Sequence, residues 1–441
     1  MNLESIFKAY DIRGRSPGEL DEAAAEAIGA AFGVFAQGPV AVGRDSRLNS
    51  PALSAALARG VASVGYDVWD IGQVPTDLVY FVSGAESIAG AMITASHNPV
   101  GYNGIKLCLP GAAPVGAESG LAVVRADAEK GVAAATQPGQ LVDRDFRTAY
   151  VDHVTGVVGS DPLAELTVVC DAGNGVAGVV LEDIFDRIAP VLDGLYLEPD
   201  GTFPNHHPDP LRPENLVDLV ARMKESSADL GVAFDGDADR AFFVDDQQQP
   251  LSGSTTTAII ADWFLAREPG ASIVHNLITS RAVPETIERL GGRAIRTRVG
   301  HSYIKGVMAE SGAIFGGEHS GHYYFRDNYR ADSGMMAMVV LLRVLSEAQV
   351  PLSVLRRDYE PYAQSGEINF EVADTDAALA GVAAAFDDGE VDLLDGVTVS
   401  WKDRWFNVRP SNTEPVVRLN VEASDASTVA DMVQAIGEVI S

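Results

Sequence analysis

Three carboxylates and an arginine crowd the end of one apolar run in the segment GVAFDGDADRAFFVDD. The carboxylates of Asp235, Asp237 and Asp239 stand at alternating positions, and Arg240 follows them directly. Without compensation, three neighbouring carboxylates repel one another and raise one another's pKa. The spacing therefore predicts that a cation lies among them. Because the loop offers only oxygen ligands, we expect this cation to be Mg²⁺ with an open coordination position.

A solvated acidic turn is the simpler alternative for the same loop. The loop also resembles the start of a calcium-binding EF-hand, but Arg240 stands where that motif needs glycine and Asp246 where it needs a bidentate glutamate. Alternate residues of an extended strand lie roughly 6.6–6.8 Å apart, so the loop must curl before three carboxylates can meet one ion. Gly236 and Ala238 permit that curl.

A second polar loop, TASHNPVGYNGIK, follows another apolar run and contains a serine in a position suited to chemistry. Ser96 stands just past the predicted strand, where a serine can act as a nucleophile or carry a phosphate. Lys106 follows closely enough in the sequence to fold back over the same loop. When this loop is considered alone, an ordinary turn serine is the alternative.

Two further loops offer polar groups for a sugar and for a phosphate. In GGEHSGH, the acceptor, donor and imidazole of Glu318, Ser320 and His322 alternate and suit a hydroxyl-rich ligand, with a glycine-rich connection as the alternative. In RPSNTEPVVR, a guanidinium and several small donors share a tight turn, and guanidinium binds phosphate bidentately. A plain type I turn is the alternative there. The residues of this last loop are Arg409, Ser411, Asn412 and Thr413.

One glycine-rich segment matches a dinucleotide-binding pattern. CDAGNGVAG is a G-x-G-x-x-G sequence after a strand, and Asp193 follows at about the distance of a ribose-binding acid. That function leaves the other four loops without a role, and glycines are common at strand-to-helix turns. We therefore favour a structural role for this segment.

The elements that must position these loops alternate along most of the chain. Strand-like runs such as PVAVGRD and DVWDIG are separated by alanine-rich helical runs such as SPALSAALARGVASVG. This rhythm is typical of a mostly parallel sheet covered by helices. GAMITASHNP, GVAFDGDADR and GAIFGGEHSGH are each a short apolar strand that opens into a polar loop, and open α/β sheets collect ligands at that edge. We predict three similar α/β domains that face one central cleft.

The C-terminal part has a different pattern. GEINFEV is followed by a helix, by three clustered strands and by a last helix from about Asp425, which predicts a small α+β domain. The segment RRDYEPYAQSGE is rich in breakers and is the expected linker. The predicted fold class is therefore α/β, with three α/β domains of mixed, mostly parallel sheets plus a smaller C-terminal α+β domain. The predicted domains are 1–145 with the serine loop, 146–250 with the acidic loop, 251–358 with the sugar loop and 359–441 with the phosphate loop.

Composition narrows the class of protein. The chain has 441 residues, 46% hydrophobic content and a net charge of −30, which fits a multidomain globular protein and argues against a nucleic-acid partner. The most apolar run, GMMAMVVLLRVL, is broken by Arg343 and predicts a buried helix, so we expect no membrane partner. The start shows no secretory signal. Cys108 and Cys170 give no disulfide framework. We expect a cytoplasmic enzyme.

Taken together, the four loops resemble those of the α-D-phosphohexomutases. TASHNP, DGDADR, GGEHSGH and RPSNTEP occur here in the order of that family, and the likeness extends from FKAYDIRG to RPSNTEPVVRLNVE. Members of the family have three similar α/β domains and a smaller C-terminal one. They move a phosphoryl group between O1 and O6 of a hexose.

The resemblance implies a role for each matching residue. Ser96 matches the serine that carries the phosphoryl group, and the metal ligands of one Mg²⁺ per chain match Ser96, Asp235, Asp237 and Asp239. The residues that match catalytic positions are Ser96, Lys106, Arg240, Arg13 and His301. The residues that match substrate-binding positions are Glu318, Ser320, His322, Arg409, Ser411, Asn412 and Thr413.

The resemblance also implies a reaction. A phosphoserine at position 96 gives its phosphoryl group to a hexose phosphate, and the resulting hexose 1,6-bisphosphate returns one to the serine. The sequence SNTEP favours mannose or glucose phosphates, because phosphoglucosamine mutases usually have SGTEP, and the whole chain is most similar to bacterial phosphomannomutases. The alternatives are phosphoglucomutase as the main activity and a metal-dependent sugar phosphatase that uses a phosphoserine intermediate.

One departure from the family concerns a basic residue in the strand after the metal loop. In VHNLITSR the matching register offers Leu277 or Ile278, and Arg281 is the nearest candidate to replace the missing cation. The residue that takes the proton from the attacking hydroxyl is also open, with Lys106, His301 and His322 as candidates. The sequence makes no prediction of an oligomeric state.

Overall fold

The computed structural model describes residues 2–410 and 416–440. Their strands form four separate sheets, and we number the parts of the chain that contain them units I to IV. The strands of each sheet fall within one of the four predicted segments, whereas the ends of those segments stay predictions. Three of the predicted phosphate-loop residues, Ser411, Asn412 and Thr413, lie outside the described residues, and so does the side chain of His301.

Unit I contains a mixed sheet covered by four helices. Its strands are β1 (Ile12–Arg15), β2 (Val40–Arg44), β3 (Val68–Gln73), β4 (Ala89–Ile93), β5 (Tyr102–Leu109), β6 (Ala113–Pro114) and β7 (Leu141–Asp143). Its helices are α1 (Glu22–Ala36), α2 (Ser50–Ser63), α3 (Thr76–Glu86) and α4 (Ala122–Lys130). The strand order is β1-β5-β4-β2-β3-β7, with β6 beside β5. The strands β4, β2, β3 and β7 run parallel, whereas β5 is antiparallel to both of its main neighbours.

Helices α1 and α2 cover this sheet in close contact with each other. Asp21 caps α1, because its carboxylate accepts a hydrogen bond from the amide of Ala24 at 2.8 Å. The backbones approach closely at Gly29 and Gly60, where a Cβ would lie 2.1 Å from the carbonyl oxygen of Leu57 and 2.0 Å from that of Glu26. Glycine is required at both positions, since any side chain would force the two helices apart.

Units II and III each contain a four-stranded mixed sheet. The elements of unit II are α5 (Arg147–Gly156), β8 (Thr167–Asp171), α6 (Gly178–Phe185), β9 (Val191–Leu195), α7 (Val217–Ser226), β10 (Leu230–Phe234) and β11 (Ala241–Val244). Those of unit III are α8 (Gly253–Arg267), β12 (Ser272–Asn276), α9 (Ala282–Arg289), β13 (Arg293–Thr297), α10 (His301–Ser311), β14 (Phe315–Gly317), β15 (Tyr323–Phe325), α11 (Gly334–Ala348) and α12 (Leu352–Leu355). The strand orders are β11-β10-β8-β9 and β13-β12-β14-β15.

Unit IV is a five-stranded antiparallel sheet packed against two helices. Its elements are β16 (Ala363–Glu371), α13 (Thr375–Ala385), β17 (Glu390–Asp392), β18 (Val397–Ser400), β19 (Arg404–Pro410), β20 (Val416–Ala423) and α14 (Ala426–Ile440). The strand order is β16-β20-β19-β18-β17. The predicted α+β character is confirmed, but the prediction omitted the short edge strand β17, whose three residues carry too little pattern to mark them.

The first three units share one way of presenting a loop. In each, a parallel strand turns back into an antiparallel neighbour, from β4 to β5, from β10 to β11 and from β14 to β15. The turns are the serine, acidic and sugar loops that the sequence singled out. All three loops therefore leave the carboxyl ends of parallel strands, as predicted from the sequence.

The hydrophobic cores divide differently from the sheets. One cluster contains buried side chains from units I, II and III, among them Met92, Phe234 and Phe315. Unit I has a second cluster under α1 and α2, whereas unit IV has a cluster of its own that includes Phe406 and Ile436. Helix α11 belongs to the shared cluster and is almost entirely buried, as the sequence predicted.

None of the described helices is by itself long and apolar enough to cross a membrane. The bent pair Gly334–Ala348 and Leu352–Tyr359 passes that test only when the two are taken together, by length and composition. Arg343 in the first of these helices donates hydrogen bonds to the main-chain carbonyls of Asp161 and Pro162. The helix is therefore tied by a polar contact to unit II.

Candidate active site

The serine loop and the acidic loop are in direct contact. Ser96 Oγ donates a hydrogen bond of 2.6 Å to Asp235 Oδ2, and Arg240 Nη2 lies 3.4 Å from the same hydroxyl. Ser96 has a left-handed backbone with φ of 51°, and its amide donates to Thr94 Oγ1 at 2.8 Å. The tight turn after β4 thus places the hydroxyl against the end of β10.

The acidic loop curls so that its carboxylates converge. Ala238 has φ of 61°, and carboxylate oxygens of Asp235, Asp237 and Asp239 lie within 4.8 Å of one another. Gly236 permits close approach to the serine loop, because a Cβ there would lie 2.6 Å from the carbonyl oxygen of Ser96. The curl expected from the small residues of this loop is therefore present.

The three carboxylates fit the cation predicted for them. Asp237 Oδ1 and Asp239 Oδ1 are buried and accept no hydrogen bond from any described residue, although a buried carboxylate oxygen without a partner is costly. Burial, with repulsion from Asp237 and Asp239, raises the pKa of Asp235 to about 7 despite the opposing charge of Arg240. A divalent cation would relieve both features, since it supplies ligand bonds and cancels the repulsion.

Lys106 and Thr76 hold the acidic loop from unit I. Lys106 Nζ lies 2.7 Å from Asp237 Oδ2 and 2.5 Å from Asp239 Oδ2. Burial alone would lower the pKa of this lysine, but the two carboxylates raise it well above its ordinary value, so the ammonium stays charged. Thr76, at the start of α3, donates to Asp237 through both its hydroxyl at 2.7 Å and its amide at 3.0 Å.

Arg240 and His97 lie against the Ser96 hydroxyl, and Arg13 binds the same loop at Asn98. Arg240 Nε donates to Asp235 Oδ2 at 2.9 Å, and Arg13 Nη1 donates to Asn98 Oδ1 at 2.7 Å. His97 Nδ1 lies 3.1 Å from Ser96 Oγ. Burial, together with Arg240, holds the pKa of His97 well below its usual range, so this imidazole is neutral at pH 7. Of the basic residues that the resemblance assigns to the reacting group, Arg240 contacts the Ser96 hydroxyl, Arg13 contacts the serine loop and Lys106 contacts the acidic loop.

The sugar loop reaches the same place from unit III. Arg240 and His322 form an isolated antiparallel bridge, and His322 Nε2 lies 3.6 Å from Asp239 Oδ1. Glu318 is buried and accepts hydrogen bonds from the amide of Gly300 at 3.2 Å and from Ser320 Oγ at 3.0 Å. Ser320 Oγ also lies 3.0 Å from His322 Nδ1. The three alternating residues of this loop therefore lie together, as predicted.

A buried ion pair lies behind His322. Lys305 Nζ is 2.7 Å from Asp332 Oδ1, both side chains are 2% exposed, and Asp332 Oδ2 is 4.0 Å from His322 Nε2. The ammonium of Lys305 also lies 3.8 Å from the centre of the Tyr80 ring in unit I. The pair therefore joins units I and III next to the sugar loop.

Unit IV brings one described residue of the predicted phosphate loop. Arg409, at the end of β19, is buried and donates from Nη2 to Glu367 Oε2 at 3.1 Å. Nearby, Val299 of unit III donates from its amide to Asp395 Oδ2 at 3.0 Å. Units III and IV therefore meet beside the sugar loop.

Arg281 does not replace the missing basic residue at the sugar site. Its guanidinium donates to the main-chain carbonyls of Trp401 at 2.6 Å, Arg404 at 3.1 Å and Lys402 at 3.2 Å, and its amide donates to Glu422. All of these acceptors belong to unit IV, so the side chain joins two units. The residues at the matching register, Leu277 and Ile278, are both buried and apolar.

The glycine-rich segment of unit II supports the acidic loop. A Cβ at Gly175 would lie 2.7 Å from the carbonyl oxygen of Gly236, and the amide of Val176 donates to that carbonyl at 3.1 Å. Asp193, the residue at the ribose-binding distance, forms an ion pair with Arg222 at 2.9 Å instead. The turn therefore has the structural role that the sequence favoured.

Each of the four units matches one domain of a known protein family. Residues 4–130, 148–248 and 252–362 match phosphoglucomutase/phosphomannomutase alpha/beta/alpha domains I, II and III, and residues 367–439 match the C-terminal domain. The chain belongs to the phosphoglucomutase/phosphomannomutase family. It is accordingly a phosphohexomutase, and the predicted family and fold class are confirmed.

Relatives in the mutase family resemble this chain over nearly its whole length. A phosphomannomutase of Salmonella typhimurium is 41% identical over 96% of each chain, and a protein of Xanthomonas campestris named phosphohexose mutases is 39% identical over 98% of each. The crystal structure of a phosphoglucomutase/phosphomannomutase family protein from Burkholderia thailandensis superposes with a TM-score of 0.91 at 33% identity, covering 100% of this chain and 98% of that one.

Several contacts in this mutase site carry no signal that marks them in the sequence. Thr76 lies in the unremarkable segment PTDL, and only the packing of unit I on unit II brings it to Asp237. Asp332 and Lys305 are separated in the sequence and meet only in the fold. Asn98 was within reach of sequence reasoning, because it stands inside the TASHNP loop two residues after Ser96.

Proposed function

We propose that this phosphohexomutase interconverts mannose 1-phosphate and mannose 6-phosphate through phosphoserine at position 96 and a hexose 1,6-bisphosphate. The observation that carries the proposal is the contact between the Ser96 hydroxyl and Asp235, one of three converging buried carboxylates. Relatives at 38–41% identity that are named phosphomannomutase support the choice of sugar. A cytoplasmic location stays a prediction.

Asp235, Asp237 and Asp239 would hold one Mg²⁺, together with an oxygen on Ser96. When bound, the ion withdraws charge from the transferring phosphoryl group. A phosphoserine carries about −1.5 to −2 charge at neutral pH, so it would repel these carboxylates without compensation. Arg240 and Lys106 supply further positive charge on either side of the loop.

In the first transfer, the free hydroxyl of the hexose phosphate attacks the phosphorus of phosphoserine 96. The bond from phosphorus to Ser96 Oγ breaks, the hydroxyl loses its proton, and Ser96 Oγ gains one. Asp235 Oδ2 is the acceptor for the Ser96 proton in the unphosphorylated state. Lys106 stays charged between two carboxylates, so His322 is the better candidate among the described residues to accept the sugar's proton.

In the second transfer, the bisphosphate returns a phosphoryl group to Ser96 after it turns end for end. Arg409 and the loop that follows it would hold whichever phosphate is not reacting. Glu318 and Ser320 would bind sugar hydroxyls in both orientations, because the carboxylate accepts hydrogen bonds and the adjacent hydroxyl, 3.0 Å away, both donates and accepts them. Buried Arg409 is held by Glu367, so its guanidinium is oriented before a phosphate arrives.

Glucose phosphates are the expected second substrates. Mannose and glucose differ only at C2, and the resemblance assigns Glu318 and Ser320 to O3 and O4, where the two sugars are identical. A site without a specific hydrogen bond to the differing group discriminates weakly. We expect kcat/KM values for mannose and glucose phosphates within roughly 1–3 kcal/mol of each other. The proposed main substrate is mannose phosphate.

The test is to incubate the enzyme with mannose 1-phosphate, Mg²⁺ and a trace of the 1,6-bisphosphate, and to measure both mannose 6-phosphate and inorganic phosphate. Mutase activity predicts one mannose 6-phosphate formed for each mannose 1-phosphate consumed, with little inorganic phosphate. Equal release of mannose and inorganic phosphate would instead indicate a phosphatase. Parallel assays with glucose and glucosamine 1-phosphates measure the sugar preference.

A further inference from the structure

A buried arginine in unit I binds the back of the serine loop. Arg47 follows β2 by three residues, and its Nη2 donates to the carbonyl oxygens of Ser96 at 2.7 Å and Asn98 at 2.6 Å. Its Nη1 donates to the carbonyl oxygens of Pro99 at 3.0 Å and Tyr102 at 3.1 Å. One guanidinium therefore gathers four carbonyls of the loop that carries the serine.

The guanidinium is itself fixed by Asp45. Arg47 Nε lies 3.3 Å from Asp45 Oδ2, and the two side chains are only 4% and 1% exposed. Asp45 Oδ1 accepts hydrogen bonds from the amide of Arg47 at 2.9 Å and from Ser50 Oγ at 2.5 Å. A planar fork with a fixed partner has little freedom to rotate, so the four carbonyls are held at set positions.

Unit II closes the other side of the arginine. The Phe203 ring centre lies 5.3 Å from the guanidinium carbon of Arg47. Gly201 approaches so closely that a Cβ there would lie 2.3 Å from the carbonyl oxygen of Ser46 and 2.6 Å from the Cα of Arg47. Arg47 is thus enclosed between the serine loop of unit I and a loop of unit II.

We propose that Arg47 is the positioning residue for Ser96, an inference that rests on the proposed function. Ser96 adopts a left-handed backbone that L-residues with a side chain avoid, and such a conformation persists only where surrounding contacts hold it. Arg47 binds the carbonyl of Ser96 itself and of the residues after it. It therefore sets where the serine oxygen stands relative to Asp235, without contacting the phosphoryl group.

Arg47→Lys is the variant that tests this role. An ammonium keeps the charge but offers three donors instead of a planar fork of five, so it cannot hold all four carbonyls. We expect kcat to fall by about 10²-fold while KM changes little, because a misplacement on the order of 1 Å in the reacting atom has that effect. Amide hydrogen exchange in residues 94–103 should become faster.

Arg44→Lys is the matched control. Arg44 ends β2, three residues earlier, and its guanidinium pairs with the partly exposed Asp70 at 3.2 Å. We expect wild-type kcat and wild-type exchange of residues 94–103 in this variant. If Arg47→Lys retained wild-type kcat, the proposed role would be wrong.

The failure of this inference is distinguishable from failure of the mutase function. Wild-type enzyme without mutase turnover would overturn the proposed function, whereas an active wild type with an equally active Arg47→Lys would overturn only the role of Arg47. If Arg47→Lys does not fold, as shown by thermal unfolding, Phe203→Leu replaces it. Loss of the ring should lower kcat and leave KM nearly unchanged. A wild-type kcat in that variant would count against the proposal.

Discussion

Ser96 Oγ and Asp235 Oδ2 are 2.6 Å apart, and the hydrogen bond between them joins unit I to unit II. The proposed phosphoryl carrier and the proposed metal ligand are therefore held by different sheets. The distance between them depends on how the two units pack. Thr76 and Lys106 of unit I also contact the acidic loop and help to fix that packing. Chemistry at this site requires that packing to be maintained.

Replacing Ser96 by alanine should abolish turnover and leave the fold intact, because the variant lacks the only oxygen proposed to carry the phosphoryl group. Intact-mass measurement should show a phosphate-sized adduct on the wild type that is absent from Ser96→Ala. Ser87→Ala is the control, since Ser87 has nearly the same left-handed backbone, with φ of 54°, away from the site. Near-wild-type activity in Ser96→Ala would rule out the phosphoserine mechanism.

Replacing Asp237 by asparagine should weaken Mg²⁺ binding at least about 100-fold and lower kcat severely, because one of three ligand charges is lost. Titration calorimetry with Mg²⁺ measures the first effect without requiring catalysis. Asp229→Asn, just before the opposite end of β10, is the control. Unchanged Mg²⁺ affinity in Asp237→Asn would mean that the ion binds elsewhere. Chelation of the metal with EDTA should abolish turnover of the wild type.

Replacing Glu318 by glutamine should lower kcat/KM for mannose and glucose phosphates by similar factors of roughly 10–100, the effect expected for a lost hydrogen bond to a charged group. Glu268→Gln is a control within unit III, since Glu268 is exposed and pairs with Arg326. A large loss for only one of the two sugars would show that this loop distinguishes them. The dual-substrate proposal would then be wrong.

The protein should become less stable as the pH rises through the pKa of Asp77, a buried carboxyl where three units meet. Asp77 of unit I accepts hydrogen bonds from Tyr150 of unit II and Ser333 of unit III, and burial raises its pKa to about 7. The folded protein therefore binds this proton more tightly than the unfolded chain, whose aspartate pKa is about 3.9. The free energy of unfolding therefore decreases between about pH 4 and pH 7, by at most about 4 kcal/mol from this group.

Asp77→Asn should remove the contribution of Asp77 to this pH dependence, because the amide does not titrate, and should leave that of Asp235, whose pKa is also raised to about 7. Urea unfolding at pH 5 and pH 8 measures it as the difference between the two free energies of unfolding, which should be smaller in the variant. The exposed Asp218→Asn should retain the wild-type difference. A wild type equally stable at both pH values, with the variant unchanged from it, would contradict the assignment to Asp77.

Replacing Arg281 by methionine should loosen the contact between units III and IV, because three carbonyls of unit IV lose their donor. We expect a loss of about 1–3 kcal/mol in the free energy that docks unit IV. Limited proteolysis in residues 356–366 should become faster, whereas Arg289→Met, at the end of α9, should behave as the wild type. Unchanged cleavage would show that other contacts dominate this interface.

Much of the site could be predicted because each of its loops has a recognisable local sequence pattern. An apolar strand followed by TASHNP, DGDADR or GGEHSGH combines a strand signal with charged or small polar residues. The fold brings the three loops together through the contacts of Ser96 with Asp235 and of Arg240 with His322. The carboxyl ends of strands in an α/β sheet lie on one edge, so the order of the elements was enough to predict convergence.

Contacts between units were not predictable in the same way. Whether Arg281 points into the cleft or toward unit IV depends on where the turn at residues 401–404 stands, and no local pattern encodes that distance. The same holds for Arg47, although its segment PVAVGRDSR is also an apolar strand that opens into polar residues. The four acceptors of Arg47 are main-chain carbonyls. Because every residue has one, the side chains in the sequence do not indicate which carbonyls Arg47 binds.

The separate hydrophobic cluster of unit IV has a consequence for how the protein unfolds. Units I, II and III share one cluster, so removing any of them would expose apolar surface on the other two. Unit IV has its own cluster, built from side chains such as Phe406, Leu419 and Ile436, and hydrogen bonds such as those of Arg281 and Val299 join it to unit III. Calorimetry should therefore resolve two cooperative transitions, and unit IV should be the part that can detach and re-dock while the rest of the molecule stays folded.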